Sequence, residues 1–361
     1  MSGTGQTIPN ASCNRPSILC LAPNPAYQVT VLFDTIALGE VNRATRQTNS
    51  LGGKGQNFAI ATKQFYGNAD HITLLQILGG PTGEQIEAME VEQGINYRTV
   101  KAQLPTRTCT TCLDASTGEM TEMIGVSGSI DHLTESRFVQ TGIEMLQDPR
   151  SVPRALALCG TFPPGLSGQA VAKIVSSRIA ANTLVFVDAV KDIQPVLATR
   201  CIDILKVNST EVLSILSAVD SENYTAQSPH VDLAQVAMKL GAMFDIGIMA
   251  VTDGPSTAYL ADTRQKSCWA FQLPDLLAHR DHLVDETTRN NFGHLLLNPL
   301  GAGDTCSAVM LNLYLEKLDI VEAFAQGLAA ASASCLVQMP NCIFDLSTMH
   351  KIRKLITITK V

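Results

Sequence analysis

The chain has 361 residues, of which 45% are hydrophobic and 16% charged, and its formal net charge is −7. This composition predicts a folded globular protein with ample length for a large core, and it excludes a mainly disordered chain. The acidic balance argues against a nucleic-acid-binding domain, and no apolar run approaches the ~20 residues of a membrane-spanning helix.

The polar residues 1–16 predict a flexible tail without a signal peptide, followed by a single domain over 17–361. The ten cysteines are scattered, mostly among apolar neighbours, which is typical of free thiols in a reducing compartment. We therefore expect a cytoplasmic protein. Cys109 and Cys112 form a CxxC pair, but no second pair lies nearby and the segment is a predicted strand, so we expect two strand cysteines rather than a metal or redox site.

The first part of the chain mixes two patterns. It predicts strands over 17–22, 27–33 and 71–78 and helices over 56–66 and 83–94. Residues 97–101, 107–113 and 117–124 alternate or follow a glycine turn, which is typical of a small antiparallel sheet. We expect the segments 24–50 and 95–126 to form a β lid beside a main sheet.

From about residue 150 onward, strands and helices alternate. The predicted strands are 154–160, 183–189, 203–208 and 246–254, and the predicted helices are 165–180, 193–199, a helix from Ser209, 231–244 and two buried helices within 305–337. The polar residues 274–296 predict an inserted surface loop. The alternation is typical of an α/β fold with a mostly parallel sheet covered by helices on both faces, where ligands bind at the carboxyl ends of the strands.

The segment NPLGAGDTCSAVML, residues 298–311, places Gly301, Ala302, Gly303 and Asp304 at the start of a predicted helix. Glycines there leave the first peptide N–H groups free, and together with the helix dipole they favour an anion. A carboxylate beside that anion could take a proton from a hydroxyl group that attacks a bound phosphoryl group. The residues alone also allow Asp304 to be a simple helix N-cap.

A second glycine-rich segment, LGGKGQN, covers residues 51–57. It is neither a Walker A loop nor a GxGxxG turn. Gly52 and Gly53 could let a polar ligand lie against the backbone, with Lys54 supplying charge and Asn57 supplying hydrogen bonds. A tight turn before a polar helix start explains the segment equally well.

Together, the two segments resemble the signatures of the ribokinase/phosphofructokinase-B (PfkB) family of carbohydrate kinases. Other segments follow in family order: LAPNPAYQVTV resembles the NPAxD strand, EVNRA the VNR segment, GTFPPGLS the GSxPPG segment, KVNSTE the KxNxxE segment and VTDGPSTAYL the VTxGxxGA segment. The resemblance spans residues 18–355 and is closest to 1-phosphofructokinase, 6-phosphofructokinase and tagatose-6-phosphate kinase. It implies a ribokinase-like fold and transfer of the ATP γ-phosphate to a hydroxyl group of a phosphorylated ketohexose.

The resemblance also implies roles for individual residues. Asp304 would be the general base, and the backbone of Gly301, Ala302 and Gly303 would hold the transferring phosphoryl group. ATP would lie against Lys206, Asn208, Thr252, Gly254, Gly301 and Gly303, and Asn208 and Glu211 would organise Mg²⁺. The sugar would lie against Gly52, Gly53 and Asn57, and its existing phosphate would be held by Arg43, Lys54 and Arg107. The expected partners are small molecules and a second copy bound through the β lid, without nucleic acid or membrane.

One position departs from the family pattern, because Gln28 stands where the family places a sugar-binding Asp. A neutral amide in place of a carboxylate would weaken a sugar hydrogen bond by about 1–2 kcal/mol. Two alternatives stay open at this point. One is a kinase for an unphosphorylated sugar or a nucleoside, which the basic residues Arg43, Lys54 and Arg107 oppose. The other is a catalytically weak ligand-binding relative, which Gln28 and the insertion at 274–296 favour.

Overall fold

The computed structural model describes residues 15–178, 183–219, 231–283, 297–337 and 341–361. Residues 1–14 of the predicted tail (1–16) and residues 284–296 of the predicted inserted loop (274–296) lie outside these described residues. Within them, no helix is both long and apolar enough to span a bilayer.

Ten of the described strands form the main sheet, in the order β14-β13-β12-β11-β10-β9-β8-β1-β4-β5. They are β1 (Ile18–Ala22), β4 (Ile72–Leu78), β5 (Asn96–Lys101), β8 (Ala155–Cys159), β9 (Leu184–Asp188), β10 (Ile204–Asn208), β11 (Ile248–Thr252), β12 (Ala258–Asp262), β13 (Ser267–Gln272) and β14 (Thr357–Lys360). The seven neighbouring strands β11, β10, β9, β8, β1, β4 and β5 pair in parallel. Strands β12, β13 and β14 extend the sheet with antiparallel pairing. The predicted mostly parallel α/β sheet is confirmed.

A separate four-stranded sheet forms the lid, in the order β3-β2-β6-β7. Its strands are β2 (Ala26–Phe33), β3 (Arg46–Gly52), β6 (Thr108–Asp114) and β7 (Met120–Ile124). One expectation about the lid is wrong, because residues 96–101 belong to the main sheet, where β5 pairs with β4. The antiparallel pairing predicted for the later segments is confirmed for β6 and β7, and β2 joins β6 in parallel. Because β5 is an edge strand, it alternates in exposure as a lid strand does, so its period could not tell the two sheets apart.

Helices cover both faces of the main sheet. They are α1 (Lys54–Tyr66), α2 (Gly80–Gln93), α3 (His132–Gln147), α4 (Gly168–Ser176), α5 (Gln194–Leu197), α6 (Ser209–Val219), α7 (Leu233–Phe244), α8 (Arg280–Leu283), α9 (Ala302–Leu315), α10 (Ile320–Cys335) and α11 (Leu346–Leu355). In β1, Cys20 and Ala22 pack in the core with α1, α9 and α10, whereas Leu19 and Leu21 pack in the core with α3, α4 and α7. Burial on both faces explains why the parallel strands read as continuous apolar runs.

Two glycines let the helix starts pack closely enough to build a site. A Cβ on Gly55 would lie 2.2 Å from Ala22 Cβ, so α1 lies directly on β1. Gly301 is the N-cap of α9 with φ 75°, a left-handed conformation that favours glycine. A Cβ there would lie 2.3 Å from Cys342 Sγ. As a result, the N-termini of α1 and α9 come within hydrogen-bonding distance of each other.

Candidate active site

Asp304 lies in the first turn of α9 and is only 7% exposed. Asn57 Nδ2, from the first turn of α1, donates to Asp304 Oδ2 at 2.7 Å. Asp304 is not the N-cap: Gly301 holds that position, and no side chain caps the helix. The Asp304 carboxylate therefore does not cap the helix. One of its oxygens is held by the Asn57 amide, which belongs to the other glycine-rich segment.

The pKa of Asp304 is raised by burial, and further by the nearby Asp188 carboxylate, to about 7. Lys54, the Asn57 hydrogen bond and Lys206 act in the opposite direction. A carboxyl group that titrates near neutral pH is suited to general base catalysis, because it is basic enough to take a proton and still ionised in part.

Asp188, at the carboxyl end of β9, joins the predicted residues to one another and was missed from the sequence. It is 1% exposed. It accepts from Lys54 Nζ at 2.7 Å, Lys206 Nζ at 3.2 Å and Ser307 Oγ at 2.6 Å. Burial would raise its pKa, but the two ammonium groups hold the pKa of Asp188 well below its usual range. A carboxylate that ends a buried parallel strand was the available signal.

Lys206 lies directly against the start of α9. A Cβ on Gly303 would lie 2.9 Å from Lys206 Nζ, so the ammonium group lies against the first turn of that helix. Burial would lower the pKa of Lys206, but Asp188 raises it above the ordinary value, and the side chain stays charged. A buried cation and a helix N-terminus together favour a bound anion. The Ala302 N–H is not available to it, because it donates to Pro299 O at 3.1 Å.

The segment predicted to organise Mg²⁺ forms a reciprocal cap at the start of α6. Glu211 N donates to Asn208 Oδ1 at 2.8 Å, and Asn208 N donates to Glu211 Oε2 at 2.9 Å. Glu211 Oε1 accepts from Lys54 Nζ at 3.2 Å. Among the described residues, no group of three or more His, Cys, Asp or Glu is arranged to hold a metal. The oxygen donors of Asn208 and Glu211 nevertheless fit Mg²⁺, which keeps several waters and takes few protein ligands.

A cavity of about 460 Å³ opens beside Lys54 and Glu211. Its lining includes Lys54, Gly160, Lys191, Gln194 and Glu211. It lies at the carboxyl ends of β8, β9 and β10, the edge where parallel sheets bind ligands. Its size is within the range of small-molecule sites. The cations at its wall suit a polyanion.

Two residues predicted to bind ATP, Thr252 and Gly254, lie at or just after the end of the next strand, β11. Thr252 ends β11 as the register partner of Asn208 on β10. Gly254 follows with φ 53°, and a Cβ there would meet open space. Neither residue belongs to the group formed by Asp188 and its partners Lys54, Lys206 and Ser307.

The residues predicted for the sugar divide between two places. Gln28 is buried on β2, donates to Thr111 Oγ1 at 3.0 Å, and faces Gly52, whose added Cβ would lie 3.0 Å from Gln28 Cβ. Lys54 instead points to Asp188 and Glu211. It lines the large cavity, whereas Arg107 lines another. Arg43 is exposed in the connection between β2 and β3.

Arg107 contacts the backbone of the Asn24–Pro25 turn, part of the segment that resembles NPAxD, and this turn contacts the glycine-rich segment. Its Nη2 donates to Asn24 O at 3.0 Å and its Nε to Pro25 O at 3.3 Å. The same turn packs against Gly53, where an added Cβ would lie 3.0 Å from Pro25 Cα. The Cys109 and Cys112 thiols on the neighbouring strand β6 are free.

Comparison with known families matches residues 26–349 to the family described as pfkB family carbohydrate kinase. A tagatose-6-phosphate kinase of Staphylococcus epidermidis is 27% identical over 172 residues, which are 48% of this chain and 53% of the relative. A 1-phosphofructokinase of Xanthomonas campestris pv. campestris is 26% identical over 174 residues, 46% of this chain and 50% of the relative. The chain thus spans about half the length of the curated relatives it matches.

Among solved structures, phosphofructokinase-2 of Escherichia coli, crystallised with substrates and products, superimposes with a TM-score of 0.76. The superposition covers 94% of this chain and 99% of that one, at 20% sequence identity. At this identity the likeness concerns the fold.

Proposed function

Because the chain belongs to the pfkB family of carbohydrate kinases, we propose that it transfers the γ-phosphate of ATP to a hydroxyl group of a phosphorylated ketohexose. The acceptor is fructose 1-phosphate, fructose 6-phosphate or tagatose 6-phosphate, the substrates that the names of its relatives suggest. The observation that carries the proposal is the buried Asp304, whose pKa of about 7 fits a general base, beside a helix start that Lys206 makes cationic.

In this mechanism the acceptor hydroxyl group lies against Asp304, which takes its proton as the oxygen attacks the γ-phosphorus. The bond from that phosphorus to the β–γ bridging oxygen breaks, and ADP leaves. Lys206 and the peptide N–H groups of Gly301 and Gly303 face the transferring phosphoryl group. Asp188 does not touch it. Instead, the Asp188 carboxylate holds the Lys54 and Lys206 ammonium groups in place, at 2.7 and 3.2 Å. Positioning and charge stabilisation are the main tasks of a protein in phosphoryl transfer.

ATP and Mg²⁺ would occupy the cavity of about 460 Å³ and the start of α6. Lys54, Lys191 and Glu211 line or face that cavity, so the ATP phosphates would lie near the lysines, with Thr252 and Gly254 toward the nucleoside. Asn208 and Glu211 would hold Mg²⁺ through water. When bound, Mg²⁺ neutralises part of the phosphate charge.

Arg107, with Arg43 on the lid, makes an acceptor that already carries a phosphate the better candidate. ADP release from MgATP should be measured with fructose 1-phosphate, fructose 6-phosphate, tagatose 6-phosphate, fructose, ribose and adenosine. We expect turnover with at least one sugar phosphate, and a KM for it that rises at least tenfold in Arg107→Ala. The KM for ATP should not change. Arg98→Ala, at an exposed arginine of β5, is the matched control.

Each alternative predicts a different result. Turnover with fructose, ribose or adenosine, unaffected by Arg107→Ala, would favour an unphosphorylated acceptor. Silence with all six acceptors while ATP still binds would favour a catalytically weak relative, in which Gln28 has replaced the carboxylate that the sugar needs.

A homodimer through the lid is part of the proposal, since the lid exposes apolar side chains that a monomer would leave in water. They are Leu38, Val41, Met123, Ile124 and Val126. Light scattering should report twice the chain mass, and Val126→Glu should shift it toward the monomer. Val91→Glu, at an exposed apolar residue of α2, should not. A monomeric wild-type protein would contradict the dimer and leave the kinase proposal intact.

A further inference from the structure

A chain of hydrogen bonds runs from the lid to Asp304. Ser50 Oγ on β3 donates to Asn341 Oδ1 at 3.1 Å, Asn341 Nδ2 donates to Asn57 Oδ1 at 2.7 Å, and Asn57 Nδ2 donates to Asp304 Oδ2 at 2.7 Å. All four side chains are buried, none more than 8% exposed. Asn341 lies 284 residues after Asn57 in the chain. No sequence motif singled it out.

The direction of this chain is set by chemistry at both amides. An amide group offers donors on its nitrogen and only acceptors on its oxygen. An ionised Asp304 only accepts, so Asn57 must turn its nitrogen toward it and its oxygen away. Asn341 supplies the donor for that oxygen. In the reversed orientation, Asn57 Oδ1 would face the carboxylate and Asn57 Nδ2 would face the donor Asn341 Nδ2. Asn341 therefore disfavours the reversed orientation, and its removal would take this penalty away.

The residue after Asn341 braces the other part of the same site. Cys342 has φ 60°, a left-handed conformation that non-glycine residues rarely adopt. Its thiol lies 3.5 Å from Gly301 O and fills the space that the missing Gly301 side chain leaves. Two consecutive residues therefore touch the amide beside Asp304 and the N-cap glycine of α9. A backbone held in a strained conformation at such a place indicates a functional constraint.

We propose that Asn341 is a positioning residue that aims the Asn57 amide nitrogen at Asp304 and ties the lid strand β3 to the general base. The proposal rests on the function proposed above, since Asp304 is taken as the base. Asn341 touches neither reacting group and acts only through Asn57. Loss of the Asn57 hydrogen bond removes one of the interactions that lower the pKa of Asp304.

The first test is the pH dependence of kcat with the best acceptor. We expect the acid limb, which reports ionisation of Asp304, to move up by about one pH unit in Asn341→Ala, so that kcat near pH 6 falls roughly tenfold. Asn341→Asp keeps the shape but loses the donor and adds negative charge, and it should move the limb further in the same direction. Asn312→Ala removes another buried asparagine of α9, bonded to Thr62, and should leave the limb in place.

A double-mutant cycle with Asn57→Ala separates positioning from a general loss of stability. If Asn341 acts through Asn57, Asn341→Ala should have little further effect on the acid limb in the Asn57→Ala background. Additive effects, or an unmoved limb in both Asn341 variants, would overturn the proposal.

A titration that needs no turnover keeps this proposal apart from the kinase proposal. Protein labelled with ¹³C at Asp carboxyl groups is titrated by NMR, and the Asp304 signal is assigned by its absence in Asp304→Asn. A higher midpoint in Asn341→Ala, which adds no charge, than in the wild type supports positioning even if all six acceptors are silent, in which case only the kinase proposal fails. An unchanged midpoint overturns positioning whether or not the enzyme is active.

Discussion

Asp304→Asn should abolish most activity and at the same time stabilise the fold. Folding raises the pKa of this acid from 3.8 to about 7, so the charged form is disfavoured in the native state. The free energy of unfolding therefore falls as the pH rises from about 4 to about 7, and the full penalty persists above pH 7. The difference in pKa corresponds to about 4 kcal/mol. It already includes the attraction of Lys54 and Lys206.

The amide of Asn is nearly isosteric and can still accept from Asn57 Nδ2, but it carries no charge to desolvate. Urea unfolding at pH 9 should therefore give a variant more stable than the wild type by about 4 kcal/mol, and the gain should shrink toward zero as the pH falls to 4. The melting temperature at pH 9 should rise by several degrees. Turnover should fall by about 10²–10⁴-fold, the usual contribution of a general base.

The two measurements test different steps of the reasoning. A variant that is less stable than the wild type at pH 9 would refute the claim that burial makes the Asp304 charge costly. A variant that keeps turnover would refute its assignment as the base. Ser307 lies on the same helix as Asp304 and donates to Asp188. Ser307→Ala is a useful control, because it should lower stability without the pH dependence expected for Asp304→Asn.

Three further predictions concern other groups. Asp188→Asn leaves Lys54 and Lys206 without their shared carboxylate and should cost about 3–5 kcal/mol in urea unfolding and lower kcat, whereas unchanged values would show that the lysines are held otherwise. Glu90, buried on α2 and bonded to Gln76 at 2.6 Å, has its pKa raised by burial to about 7; Glu90→Gln should therefore stabilise the fold by about 3 kcal/mol at pH 9 and by little at pH 4, and a gain independent of pH would contradict this. Gln28→Asp should lower the KM for the sugar phosphate about tenfold with little change in kcat, and an unchanged KM would mean that the sugar does not lie against β2.

Local patterns in the sequence predicted much of the secondary structure. Alternation of buried strands and helices from residue 150 onward is confirmed, because a parallel strand buried on both faces must be apolar throughout. Helix α3 was not predicted, although Asp131 caps it by accepting from Thr134 N at 2.8 Å. The period of β5 predicted a strand correctly but not the sheet to which it belongs.

The sequence by itself determined the two glycine-rich helix starts and placed Asp304 and Asn57 in them, because each segment is a run of neighbouring residues whose conformational needs are local. Only the tertiary structure decided what surrounds them. Asp188 reaches Ser307 across 119 positions, and Asn341 reaches Asn57 across 284. Such contacts depend on the order of strands in the sheet and on the packing of α1 against α9, and neither leaves a periodic signal in the chain.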